Sequence, residues 1–123
     1  MEKDQLTDRV IGLAIEVHRQ LGPGLLESVY EACLCQELRE SGLKFERQKA
    51  IGIHYKGTEL DGGFRADLIV EDELLIELKA TERFLPIHEA QLLTYLRLSK
   101  IGTGLLLNFN TKVLKDGIKR MVV

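Results

Sequence analysis

From Leu6 onward the apolar residues Leu6, Val10, Leu13, Ala14, Val17 and Leu21 recur at helical spacing, forming one stripe of an amphipathic helix. "GPG" at 22–24 stops it, with Gly22 placed as the residue after the last turn and Pro23 just beyond. A second helix is predicted from about Leu25 to Glu40, with Leu26, Tyr30, Cys33, Leu34 and Leu38 inward and "SG" at 41–42 ending it. The period then shortens. "KFERQ" alternates weakly, and "AIGIHY" runs toward a tight turn at "KG", 56–57. "TELDGGFRADLIV" reads either as one strand kinked at Gly62 and Gly63 or as two pieces. "LLIELKA" follows an acidic turn, and Pro86 opens a third helix from about Ile87 to Lys100. "TGLLLNFN" reads as a buried strand and "IKRMVV" as a peripheral terminal one. The order predicts an α/β (α+β) architecture, a mixed central sheet flanked by helices.

The stretch "RADLIVEDELLIELKA", 65–80, breaks its own pattern. Because side chains alternate along a strand, Ala66, Leu68 and Val70 share one face with Leu74, Ile76, Leu78 and Ala80. That face is apolar and is expected to lie on helices. The other face carries Arg65, Asp67 and Ile69 on one strand, then Leu75, Glu77 and Lys79 on the next. A three-residue loop at Glu71, Asp72 and Glu73 sets Asp67 opposite Glu77 and Arg65 opposite Lys79. A two-residue loop would put charge on the apolar face, so patterning favours the odd-numbered loop. Its weak point is the left-handed conformation such a loop requires, which suits glycine better than aspartate.

Like charges directly opposite on a sheet repel, so Asp67 and Glu77 need a cation. Two readings remain open on spacing alone. One is a neutral quartet, with Arg65 and Lys79 as the partners. The other is a divalent-ion site with oxygen ligands, suited to Mg²⁺ or Mn²⁺.

Composition narrows the setting. A chain of 123 residues is expected to form one domain, 1–123, around a single core. The net charge of −2 supplies no bulk positive field for nucleic acid. Cys33 and Cys35 stand two apart in a predicted helix without a Cys/His cluster, and are read as reduced structural thiols. No signal-like or transmembrane-length apolar run is present, so a cytoplasmic location with no membrane partner is expected.

Further motifs join the hairpin. Asp67, nine intervening residues and "ELK" at 77–79 resemble the D…(D/E)XK signature of the PD-(D/E)XK nuclease superfamily, with Ala66 where the name-giving proline would stand. "GLLESVY" at 24–30, carrying Gly24, Glu27 and Tyr30, resembles the motif of the GxxExxY family, a branch of small proteins in that superfamily. "AQLLTYL" at 90–96 resembles the Gln-x-x-x-Tyr element of its recombination-type nucleases, through Gln91 and Tyr95, and "GLLLNF" at 104–109 also fits. Each added motif has a plainer meaning when taken alone. Glu27 in a first helical turn complements the helix dipole, and Tyr30 one turn later is a core position. Gln91, Tyr95 and His88 form a polar helix edge, and His54 is structural.

The resemblance implies a restriction-endonuclease-like core and a metal-dependent nuclease acting on DNA ahead of RNA. It implies Mg²⁺ or Mn²⁺ held by Asp67, Glu77, the Leu78 carbonyl and Glu27. Lys79 would orient or deprotonate the attacking water, Gln91 would position Lys79 or a phosphate, and Tyr30 and Tyr95 would support. The alternative is a catalytically silent nuclease-fold module for nucleic-acid or protein binding. Phosphate contacts would fall to Arg83, Arg97, Lys100, Lys112, Lys115, Lys119 and Arg120, although the last four read first as a solvated face. The small surface implies a homodimer or a larger protein partner.

Overall fold

A computed structural model describes residues 2–123. Along the chain run α1 (Lys3–Leu21), α2 (Glu27–Glu40), β1 (Phe45–Tyr55), β2 (Thr58–Val70), β3 (Leu74–Lys79), α3 (Pro86–Ser99), β4 (Thr103–Asn108) and β5 (Ile118–Val122). A short 3-10 turn, Leu114–Gly117, precedes the last strand. The strands lie in the order β1-β2-β3-β4-β5, antiparallel except for the parallel β3–β4 pair.

Two apolar layers sandwich this mixed sheet. Leu6, Val10, Ala14 and Val17 of α1, with Tyr30, Leu34 and Leu38 of α2, pack on Leu68, Val70, Leu74, Ile76, Leu78, Leu105 and Leu107. On the opposite face Leu92 and Leu96 of α3 pack on Ile69, Leu75, Leu106 and Ala66. Every residue of β4 is buried, as expected of a strand covered on both faces. Burying each of its leucines contributes about 2 kcal/mol. A Cβ on Gly104 would stand 2.9 Å from Leu92 Cδ1, so glycine is what lets α3 approach β4 this closely.

Several boundaries follow from local chemistry. Gly22, at φ 72, ends α1 and returns its N–H to the His18 carbonyl. The second helix starts at Glu27 rather than Leu25. Tyr30 Oη accepts the Leu25 N–H at 3.1 Å and donates to the Gly22 carbonyl at 2.6 Å, which ties together the two ends of the bend between the helices. Leu26 therefore stands 73% exposed at the helix mouth instead of facing inward. "KFERQKAIGIHY" forms one strand after Lys44, and "TELDGGFRADLIV" is also one strand. The irregularity anticipated at Gly62 and Gly63 is a register shift against Ile51 and Ile53.

Candidate active site

The β2–β3 hairpin is regular near its turn, where Val70 pairs with Leu74, Ile69 with Leu75 and Leu68 with Ile76. The loop is the three-residue one that hydrophobic patterning requires. Glu71 and Asp72 take φ 54 and 56, and Glu73 donates its N–H to the Val70 carbonyl at 3.0 Å, the arrangement of a type I′ turn. Aspartate and glutamate occupy left-handed positions here without glycine.

Past Leu68 and Ile76 the ladder stops, and side chains take the place of backbone partners. Glu77 Oε2 accepts the Asp67 N–H at 2.8 Å, and Asp67 Oδ2 accepts the Leu78 N–H at 2.8 Å. Each carboxylate thus caps the opposite strand. β3 continues beside β4 to Lys79, while β2 continues beside β1, so the sheet forks at the two acids. By strand geometry the Leu78 carbonyl lies on the same edge as its N–H and faces the fork.

The fork is electrostatically loaded. Glu77 is 5% exposed and Asp67 and Lys79 are half-buried. Burial pushes the Glu77 carboxyl up to about 8, and the neighbouring Asp67 charge adds to that. The Asp67 N–H and the Lys79 ammonium oppose the rise. Asp67 is also raised, chiefly by burial, against hydrogen bonds from Leu78 and Gln48 and the pull of Lys79. Lys79 therefore serves both acids at once.

Arg65 does not join them. It pairs with Ala50 on the β1 side and donates to the Gln48 carbonyl at 3.2 Å, because the strands have parted before Arg65 could meet Lys79. Ala66 likewise departs from expectation, lying under α3 and not with Leu68 and Val70. The chain is distorted here: Gln48, in β1 between the paired residues Arg47 and Lys49, is left-handed at φ 52.

The helices bring the remaining candidates. Glu27 is exposed in the first turn of α2, and its charge reaches Glu77. Tyr30 is fully buried, stacks on Phe109 at 4.5 Å and fixes the loop ahead of Glu27, so its part is structural. Tyr95 stacks on Phe64 at 3.9 Å, and its hydroxyl is raised by burial and then by the charges of Glu77 and Asp67. Gln91 is half-buried one turn earlier on α3. His88 belongs to the start of that helix, where Nδ1 accepts the Leu85 N–H at 3.1 Å. His54 sits on the exposed β1–β2 arm near Glu59, at 3.6 Å.

Sequence reasoning missed three residues at this site. Glu31, one turn after Glu27, is 8% exposed and accepts from Arg47 Nε at 2.6 Å and from Gln48 Nε2 at 2.7 Å. Gln48 Nε2 also donates to Asp67 Oδ1 at 3.2 Å. The available signal was Glu31 itself, a charge on the inward side of a helix one residue after the core tyrosine. Asn108 is a further fastening. Its amide bonds both backbone groups of Thr81 and fixes the chain leaving Lys79.

Among the described residues, no three His, Cys, Asp or Glu side chains gather closely enough to hold a metal by themselves. The donors at the fork are two carboxylates and one main-chain oxygen. That set fits Mg²⁺, which is commonly bound by one or two carboxylates and completes its shell with water and substrate phosphate. Burial raises Glu77 most, and the Asp67 repulsion that adds to it is what a cation would relieve.

A family model described as the PD-(D/E)XK nuclease superfamily matches residues 4–121. The chain belongs to that superfamily, and its five-stranded mixed sheet with three helices is a restriction-endonuclease-like fold. No curated protein and no solved structure matches it. Among the described residues no helix is long and apolar enough to cross a membrane.

Proposed function

We propose that the protein is a metal-dependent nuclease of the GxxExxY branch that hydrolyses phosphodiester bonds, with DNA ahead of RNA as substrate. The forked hairpin carries this reading, because it gathers Asp67, Glu77 and Lys79 at one place where the ladder has opened. Asp67, Glu77 and the Leu78 carbonyl would hold Mg²⁺ or Mn²⁺; Glu27, which stands outside this group in the first turn of α2, would add its charge and join the ion only by moving in. When bound, such an ion supplies Lewis acidity toward the scissile phosphate and acidifies water. Lys79 orients the attacking water and meets the charge that grows on the phosphoryl oxygens. Gln91 positions Lys79 or a phosphate, and Tyr95 braces it from the next turn.

Phosphates along the substrate would meet Arg83, Arg97, Lys100, Lys112 and Lys115. Lys119 and Arg120 are already engaged, by Glu89 at 3.0 Å and by Asp4. Affinity then falls steeply with salt, and a homodimer or larger partner supplies further surface. The competing reading, a silent nuclease-fold module, draws on the net charge of −2.

Purified protein incubated with Mn²⁺ or Mg²⁺ and single-stranded, duplex and branched DNA, with RNA alongside, separates the two. The nuclease reading predicts cleavage of at least one DNA substrate and a loss of about 10²–10³-fold in Lys79→Ala. Equal inertness of wild type and Lys79→Ala on every substrate favours the silent module.

A further inference from the structure

Gln48 adopts φ 52 in the body of β1, a conformation that favours glycine and strains other side chains. Strain of this kind persists where the surroundings over-determine it, and it concentrates at functional sites. Here the side chain accounts for the backbone. One carboxamide nitrogen spans from α2 to the fork, donating to Glu31 Oε1 at 2.7 Å and to Asp67 Oδ1 at 3.2 Å. Glu31 is a firm anchor because it is buried and its charge is balanced by Arg47 at 2.6 Å. Arg65 holds the Gln48 peptide from β2 by donating to its carbonyl at 3.2 Å. Glycine would suit the backbone but lacks the reach. Asparagine tolerates the conformation but is one methylene short.

We propose that Gln48 is a positioning residue for the fork: anchored by the Glu31–Arg47 pair, its carboxamide fixes the Asp67 carboxylate in the orientation that caps the Leu78 N–H. The inference rests on the nuclease reading only for what the fixed carboxylate then does, which is to hold a divalent cation. Groups that orient a metal-binding side chain typically contribute 10–100-fold in affinity when removed. Without Gln48, Asp67 turns away, the Leu78 N–H is uncovered and cation binding weakens.

Gln48→Gly is the informative variant, because glycine relieves φ 52 and removes only the side chain. Gln48→Asn provides a second substitution that keeps an amide. Two readouts are needed: amide hydrogen exchange of the metal-free protein at Leu78 and Asp67, and calorimetric titration with Mn²⁺. In both variants exchange at Leu78 rises about 10-fold, as expected for a lost cap worth roughly 1.4 kcal/mol. Exchange at Asp67, whose N–H is covered by Glu77, changes little. The Mn²⁺ dissociation constant rises about 10-fold. Unchanged protection at Leu78 overturns the proposal, as does equal acceleration at Leu78 and Asp67, which would mean general loosening. Selective exposure of Leu78 in a protein whose wild type binds no Mn²⁺ upholds the positioning role and fails the metal reading. Mn²⁺ binding by wild type with Leu78 protection unmoved in the variants does the reverse.

Discussion

The two halves of the β2–β3 hairpin share strands and alternation but differ in what closes the space between them. Near the turn, Leu68–Val70 and Leu74–Ile76 are buried, and the backbones bond each other. Two residues on, the backbones bond carboxylates, and the strands separate. The first half stabilises the fold through apolar burial and a complete ladder. The second satisfies its N–H groups with carboxyl oxygens, which brings two acids together within the influence of the Lys79 ammonium, where burial and mutual repulsion push Glu77 up to about 8. Local consistency supports the fold in one half and is given up in the other, as is common at functional sites.

The contrast can be broken most severely in the apolar half. Ile76→Ala, at a fully buried position, is expected to destabilise by about 4 kcal/mol in urea unfolding. The charged half should respond to pH instead. Glu77 binds its proton more tightly folded, at about 8, than at its ordinary 4.5. The associated stability is complete below pH 4.5 and drains away as pH rises through 8. Metal-free protein should therefore lose about 4 kcal/mol between pH 5 and pH 9, Asp67 adding with the same sign, while Glu77→Gln flattens most of that slope. A slope unchanged in Glu77→Gln would remove the buried acid from the account. The turn offers the smallest effect. Asp72→Gly at φ 56 should stabilise by about 0.5 kcal/mol without affecting the fork, whereas loss of stability would mean that the aspartate side chain contributes there.

The element order and the hairpin register were legible because period and patterning carry them. A shift of one residue would have turned Leu68, Val70, Leu74 and Ile76 to the wrong face. The fork was not legible, because it depends on where pairing ends, and nothing local to "RADL" or "IELK" marks that point. Arg65 and Ala66 were therefore placed by an alternation that stops at Asp67. Leu26 was assigned inward by helical spacing, but Tyr30 ties Gly22 and Leu25 to its hydroxyl and the helix begins only at Glu27, which leaves Leu26 outside the helical pattern. Glu31 and Gln48 were hidden for a different reason. A buried charge and a left-handed glutamine acquire meaning only when α2, β1 and β2 are assembled, since their partners lie 16, 17 and 19 residues apart.

The divalent-cation site proposed at Asp67 and Glu77 is open to a simple test. Thermal melting with and without excess Mn²⁺, for wild type and Glu77→Gln at one pH, tests it most directly. A ligand held only by the native state at about 100 times its dissociation constant adds roughly 2.7 kcal/mol. A cation held at the fork gives a clear rise in Tm for wild type and little or none for Glu77→Gln. No rise in wild type, or an equal rise in both proteins, would contradict it.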